Sequence, residues 1–356
     1  MPSLALTPSA LFLRLFLAFL VLASLARAAT PAPASARPDV LFLAVDDLND
    51  WITLLDPAAP IATPHLQRLA RRGVSFTRAY AASPACNPSR AALLTGRAPA
   101  STGIYGNTSD WRAALPDAVT LPQAFMRAGY RVEGAGKIFH HHSAGAFHDA
   151  ASFHDFLPMP DPPDAPMPRE KLNQLPGYGT ANTDWGAWPL DETDALDVRS
   201  VDWCIARLRR PRTAPLFLAC GLFRPHMPFF VPPRWLARHP LEKATLPPLR
   251  ADDLADIPPG GLALHAPSAG RFWRGMAESE TLRPGSWRDA VRHYQAAATF
   301  ADAQIGRLLD ALDATPHGRD TIVVLWSDHG YQLGDKDSWE KFTLWEKATR
   351  IPFIVV

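Results

Sequence analysis

The stretch Cys86-Asn87-Pro88-Ser89-Arg90 joins a thiol, a helix-starting proline and a guanidinium within five residues. A cysteine at a helix start meets free backbone N–H groups and the positive end of the helix dipole, a setting that favours an anion. Arg90 adds a planar fork of donors suited to a tetrahedral oxyanion. Together they read as a nucleophile aimed at an anionic tetrahedral centre, and the polar, proline-marked context argues against a buried structural thiol. Asp46-Asp47 follows the apolar run Val40–Val45. Adjacent carboxylates repel unless a cation or basic group lies between them; alone, such a pair reads as a solvated turn or helix cap. A second apolar run ends in Ser327-Asp328-His329-Gly330. Three carboxylates at the ends of two strands make a hard, oxygen-rich cation site. His329 is a softer donor than calcium usually takes, so metal ligation and hydrogen bonding to the anion both stay open for it.

Three further segments carry reactive side chains: Gly136-Lys137-Ile138-Phe139-His140, Phe223-Arg224-Pro225-His226-Met227-Pro228-Phe229, and Lys341, thirteen positions after Asp328. By residue type alone, Lys137 and Lys341 are solvated charges, and His140 opens a loop run that continues through His141 and His142.

The elements that must position these groups alternate in type. Val40–Val45 is a continuous apolar run, as in a strand buried on both faces. Thr63-Pro64 caps a helix that Gly73 closes. Residues 74–80 read as a strand, 88–94 as a short helix ended by Gly96, and 121–128 as another ended by Gly129. Residues 194–209 form an amphipathic helix feeding a strand at 216–222, and 287–312 a long helix feeding a strand at 321–326. The expected fold is α/β, with a large, mainly parallel sheet sandwiched by helices. Ligands then bind beyond the carboxyl ends of the strands. Prolines number 36 of 356, about twice the usual share; those in 158–168 and 258–267 read as stiffeners of long loops.

The stretch CNPSRAALLTGR resembles the sulfatase signature C-x-P-S-R-x-x-L-L-T-G-R at every defined position. The resemblance implies an alkaline phosphatase/sulfatase-like fold and a sulfuric ester hydrolase. It implies that Cys86 becomes formylglycine during export, its hydrate being the nucleophile, with Arg90 holding that hydrate. It transfers metal binding to Asp46, Asp47, Asp328 and His329, together with the modified Cys86. The implied ion is Ca2+, with Mg2+ possible. Lys137 and His140 match a sulfate-contacting G-K-x-x-H element, His226 a loop histidine facing the leaving group, and Lys341 the remaining sulfate-binding lysine. His329 and the R-P-H-M-P-F loop are most similar to the iduronate 2-sulfatase branch. The implied partners are a sulfated sugar or polysaccharide and a formylglycine-generating maturation enzyme. Rival readings are a phosphonate or phosphodiester hydrolase of the same superfamily, and a non-catalytic binder of sulfated glycans. Family members continue into a smaller C-terminal subdomain, so the expectation is a catalytic domain at 39–356 that is truncated at its C-terminus.

Arg14, the apolar run 15–25 and Ala26-Arg27-Ala28 form an export-signal pattern, placing a signal peptide at 1–28 and an Ala/Pro leader at 29–38. The run is too short for a comfortable membrane span. A secreted or periplasmic location is expected, or a lysosomal-type lumen in a eukaryote. The formal net charge of +1 gives no general basic surface for nucleic acid. Three cysteines make no disulfide framework; Cys204 and Cys220 read as buried thiols that pair only if the fold brings them together. Trp111, Trp185 and Trp188 read as packing residues before sugar platforms.

Overall fold

The computed structural model describes residues 37–140, 147–159, 171–173, 184–188, 191–265 and 267–356. The signal segment, nearly all of the leader, His141, His142 and most of the 158–168 proline tract lie outside them. Seven strands form the main sheet: β1 (Val40–Val45), β2 (Val74–Ser75), β3 (Arg131–Gly136), β4 (Asp155–Leu157), β5 (Leu216–Leu222), β6 (Ile322–Ser327) and β7 (Phe353–Val355). Their spatial order is β2-β7-β6-β1-β5-β3-β4. The five strands from β6 to β4 run parallel, whereas β7 is antiparallel to β6, and β2 to β7.

The helices that matter below are α1 (Pro64–Ala70), α2 (Cys86–Thr95), α3 (Leu121–Arg127), α4 (Leu196–Leu208), α5 (Pro267–Leu282) and α6 (Ser286–Asp313). Successive side chains of β1 point to opposite faces, and both faces are covered. Leu41, Leu43 and Val45 join a core with Val201 and Leu208 of α4 and Tyr294, Ala298 and Ile305 of α6. Val40, Phe42 and Ala44 join a second core with Ala91 and Leu94 of α2, and Phe125 of α3 packs against it. The unbroken apolar run of β1 follows from this double burial.

Register decides where the reactive residues emerge. Val45 lies opposite Leu222 on one side and Ser327 on the other, and Gly136 lies opposite Gly221. Asp46, Lys137, Phe223 and Asp328 therefore leave the sheet along one edge, at the carboxyl ends of β1, β3, β5 and β6. Two glycines permit the close approach there. Gly136 has φ 75°, and a Cβ on it would lie 2.0 Å from the Gly221 carbonyl oxygen.

Three sequence expectations need correction. Residues 74–80 are not one strand: Val74–Ser75 pairs with β7, while Ala79–Tyr80 pairs with Arg350–Ile351. Pro352 separates those two partners and has no N–H to continue the ladder. Gly73 does not cap α1, which ends at Ala70 with Arg71 still right-handed. A Cβ at Gly73 would instead meet the Val355 carbonyl oxygen at 2.2 Å. The 258–267 proline segment contains the helix Pro259–Leu264, and Pro267 starts α5, since proline favours the first helical turn.

Candidate active site

Cys86 is itself the first residue of α2, with Ala85 as the N-cap; the expected short helix starts two residues earlier than its proline implied. Gly96 closes the helix in the left-handed region at φ 69°, its N–H bonded to the Ala92 carbonyl. Asn87 ties the helix start to a loop, donating from Nδ2 to the carbonyls of Gly106 (2.9 Å) and Ser109 (2.8 Å). Asp47 adopts φ 60°, a conformation aspartate tolerates better than most residues. That turn breaks the strand alternation, so Asp46 and Asp47 face one centre rather than opposite sides.

The fold brings every residue nominated from sequence to that centre. Arg90 Nε donates to Asp328 Oδ2 (2.9 Å) and Nη2 to Asp46 Oδ1 (3.0 Å). Its Nη1 donates to the carbonyls of Lys137 (2.5 Å) and Ile138 (3.2 Å). Four of five guanidinium donors are thereby engaged, so Arg90 clamps the carboxylates and the β3 edge more than it faces outward. Lys137 Nζ donates to Asp46 Oδ2 and lies 3.8 Å from Cys86 Sγ. Lys341 Nζ donates to Asp47 Oδ1 (2.6 Å) and Cys86 Sγ (3.3 Å). His329 Nε2 lies 3.3 Å from Cys86 Sγ, and His140 also hydrogen-bonds the Cys86 side chain. His226 sits at the partly open side, its Nε2 3.9 Å from Asp47 Oδ2, with Nδ1 bonded to the Met227 carbonyl.

Burial and charge set the ionisation states. Burial opposes the Cys86 thiolate, but Lys137, Lys341 and His329 outweigh it and hold the thiol well below its ordinary range. Asp46 and Asp328 share Arg90 yet shift oppositely. Burial raises both; Lys137, His226 and Arg90 then pull Asp46 far down, whereas Asp328, with Arg90 as its main counter-charge and Asp46 as a like neighbour, is left at about 7. Burial lowers His140 to about 4, so its ring is neutral near pH 7. His329 is raised to about 9, burial being outweighed by Asp328 and Cys86.

A divalent cation fits this donor set. One atom from each of Asp46, Asp47, Cys86, Asp328 and His329 lies within 4.8 Å of all the others. Asp47 Oδ2 is buried and accepts no hydrogen bond, an orphaned hard donor of the kind a cation satisfies. His329 Nδ1 is 2.8 Å from the Gly330 carbonyl, which holds Nδ1–H there, so a cation that displaced the Nε2 proton would meet a lone pair aimed at the cluster.

Comparison with known proteins gives the geometry its context. A family model described as Sulfatase matches residues 38–356. The chain belongs to the sulfatase family. A Sulfatase of Formosa agariphila is 40% identical over 335 residues, covering 89% of this chain and 63% of that one. The iduronate 2-sulfatase of Homo sapiens is 30% identical, covering 89% of this chain and 59% of that protein. This sulfatase-family chain thus spans about three-fifths of the length of these relatives. Among solved structures, a phosphonate monoester hydrolase from Silicibacter pomeroyi superposes with a TM-score of 0.69 at 25% identity, over 90% of this chain and 68% of that one.

Some contributors to the site carried no local signal. Tyr294, on α6, donates from its hydroxyl to the Asp47 carbonyl (2.8 Å) and receives the Asn49 N–H (3.0 Å). Ser327 Oγ bridges the Val45 and His329 carbonyls. Ser89 Oγ donates to the Asp328 carbonyl; its place in the signature was the one available hint. Trp111 stacks on Phe139 at 5.0 Å in the core, and Trp185 and Trp188 are buried, as packing residues are. Cys204 and Cys220 are buried thiols on α4 and β5. No helix among the described residues is long and apolar enough to cross a membrane.

Proposed function

We propose that the protein hydrolyses sulfate esters of a sugar or polysaccharide in the manner of an iduronate 2-sulfatase, using a formylglycine formed from Cys86 and a divalent cation, calcium or magnesium. The observation that carries this reading is the ring of nitrogen groups at Cys86 Sγ, from Lys137, Lys341, His329 and His140, beside three carboxylates. Asp46, Asp47, Asp328, His329 and the modified Cys86 would hold the ion. When bound, the cation supplies a Lewis acid for the sulfate oxygens, and the formylglycine hydrate supplies a nucleophilic hydroxyl with a second one to drive sulfate out.

The remaining roles belong to this chain's own side chains. Lys137 Nζ and Lys341 Nζ bind the sulfate oxygens and offset their charge; the burial that raises the strength of such contacts also excludes water. Arg90 fixes the Asp46 and Asp328 carboxylates relative to each other. In its doubly protonated form His226 keeps Nδ1–H on the Met227 carbonyl and would give the Nε2 proton to the departing alcohol as general acid, with Lys341 the second group within reach; such a step is typically worth about 100- to 10,000-fold. His140, neutral and bonded to the Cys86 side chain, accepts the proton released there. The domain at 39–356 would carry this chemistry outside the cytoplasm, secreted or periplasmic or in a lysosomal-type lumen, after a maturation enzyme has acted on Cys86. The export-signal pattern at 1–28 supports that location.

The likeness to a phosphonate monoester hydrolase supports a second reading, hydrolysis of phosphonates or phosphodiesters. One experiment separates the two. The Cys86 peptide of protein exported from its native host is weighed, and the same protein is assayed on sulfated saccharides, aryl sulfates and aryl phosphodiesters. Aldehyde at Cys86 with preference for sulfate esters is expected. An unmodified thiol in fully exported, active protein removes the formylglycine mechanism, and a preference for phosphodiesters promotes the second reading.

A further inference from the structure

We propose that a cleft across α6 from the catalytic centre is a second, non-catalytic binding site for an anionic oligosaccharide; this rests on the reading that the substrate is a sulfated saccharide. The cleft has a volume of about 540 Å³, within the range of ligand sites. Its floor is Gln295 and Thr299 of α6, and its walls come from residues 60–62 and 238–245. Both walls belong to connections that carry the active site. Residues 60–62 end the connection that begins with Asp46-Asp47 at the carboxyl end of β1. Residues 238–245 follow the His226 loop through the short strand Phe229–Val231 and the helix Pro233–Leu236. Tyr294, adjacent to Gln295, turns the other way and reaches the Asp47 carbonyl. Neighbouring residues of α6, Tyr294 and Gln295, thus serve the two sites.

The lining selects for an anion bearing hydroxyl groups. It contains Arg238 and Lys243 and no carboxylate. Arg238 lies over the Trp235 ring at 4.9 Å, which restrains its guanidinium. His239 Nε2 lies 2.9 Å from Thr299 Oγ1. That hydroxyl already donates to the Gln295 carbonyl (3.0 Å), so His239 is the donor of the pair and its Nδ1 remains an acceptor. Burial, with Arg238 and Arg292 nearby, holds His239 near 4; it is a neutral hydrogen-bonding group rather than a third charge. Pro60, Ala62 and Pro240 complete the lining with an apolar surface for a sugar's C–H face. The role that follows is to hold one part of a sulfated chain while another part occupies the catalytic centre.

The test uses the full-length mature protein. Binding of a sulfated hexasaccharide and of inorganic sulfate is measured by calorimetry on the Cys86→Ala variant, which removes turnover, with and without Arg238→Gln/Lys243→Glu. Turnover of a small aryl sulfate is measured separately on protein retaining Cys86. The expected result is an approximately tenfold weaker hexasaccharide affinity with a shallower salt dependence, and unchanged aryl sulfate turnover. Unchanged hexasaccharide affinity overturns the proposal. So does inorganic sulfate binding the cleft as tightly as the hexasaccharide, or an equal fall in aryl sulfate turnover, which marks a structural effect. Lys243→Glu alone, at an exposed side chain, reads the same loss in smaller measure should Arg238→Gln disturb Trp235. If no sulfate ester is turned over at all, the proposed function fails, while the calorimetric arm still decides the cleft.

Discussion

Arg90 is the residue on which the other charges of the site depend. Its guanidinium holds Asp46 and Asp328 from two different strands and closes two backbone carbonyls at the end of β3. A lysine keeps the charge but lacks the fork, and its three N–H groups leave at least one of the four buried acceptors without this donor. Arg90→Lys should therefore cost about 2–4 kcal/mol of stability, read as a lower denaturation midpoint with an unchanged slope. An unshifted midpoint would mean that the carboxylates are organised without it. Cys86→Ser should keep the fold and yield, on a sulfated substrate, a covalently sulfated protein that does not turn over, because serine has no second hydroxyl to drive sulfate out; mass spectrometry after single turnover checks this. Nearly all of the reactive set was legible, since the chemistry sits in short contiguous motifs. Tyr294 and Ser327 were not. Their contributions are hydrogen bonds to backbone carbonyls of residues far away in sequence, and nothing in their local context announces them.

At the scale of elements, the approach of β3 to β5 sets Lys137 in place. Gly136 has a left-handed φ of 75° and no room for a Cβ, with the Gly221 carbonyl oxygen at 2.0 Å. Gly136→Ala should cost about 2–4 kcal/mol through strain and overpacking and lower kcat by displacing Lys137; normal stability and rate in that variant would dismiss the argument. Asp302, on α6, accepts the backbone N–H groups of His65 and Leu66 at the start of α1 (3.1 and 2.9 Å). Burial raises its pKa to about 6 despite those bonds and the nearby His65 and Arg68. A raised folded-state pKa means that the folded protein holds the proton more tightly than the unfolded chain. Its contribution is complete below about pH 4 and fades as pH rises through about 6, by about 3 kcal/mol. Asp302→Asn should flatten that part of the stability-versus-pH curve, which melts between pH 4 and 7.5 would show. The parallel character of the sheet was readable from the apolar runs of β1, β5 and β6, whereas β3, with Arg131, Glu133 and two glycines, and the three-residue β4 carry no such run and were not read as strands. The split of residues 74–80 was not, because Pro352 lies on the partner segment and only pairing reveals it.

For the whole molecule, the decisive fact is that the residues able to hold a cation lie far apart in the chain. Asp46 and Asp47 follow β1, whereas Asp328 and His329 follow β6, and the parallel pairing of those strands unites them. An unfolded chain does not present that cluster, so a cation held by these residues would bind the native state selectively and stabilise it by mass action. At a hundredfold excess over its dissociation constant, the gain should be about 2.7 kcal/mol, observed as a rise in Tm on adding calcium to chelator-treated protein and a fall on chelation. Asp328→Asn should abolish that calcium-dependent rise. Cys86→Ala should retain most of it, because the three carboxylates and His329 remain. This separates cation binding from catalysis, since it is read without any turnover. A calcium-independent Tm in protein with all ligands intact would reject calcium as the resident ion, and repeating the titration with magnesium then asks whether the same cluster selects the smaller cation.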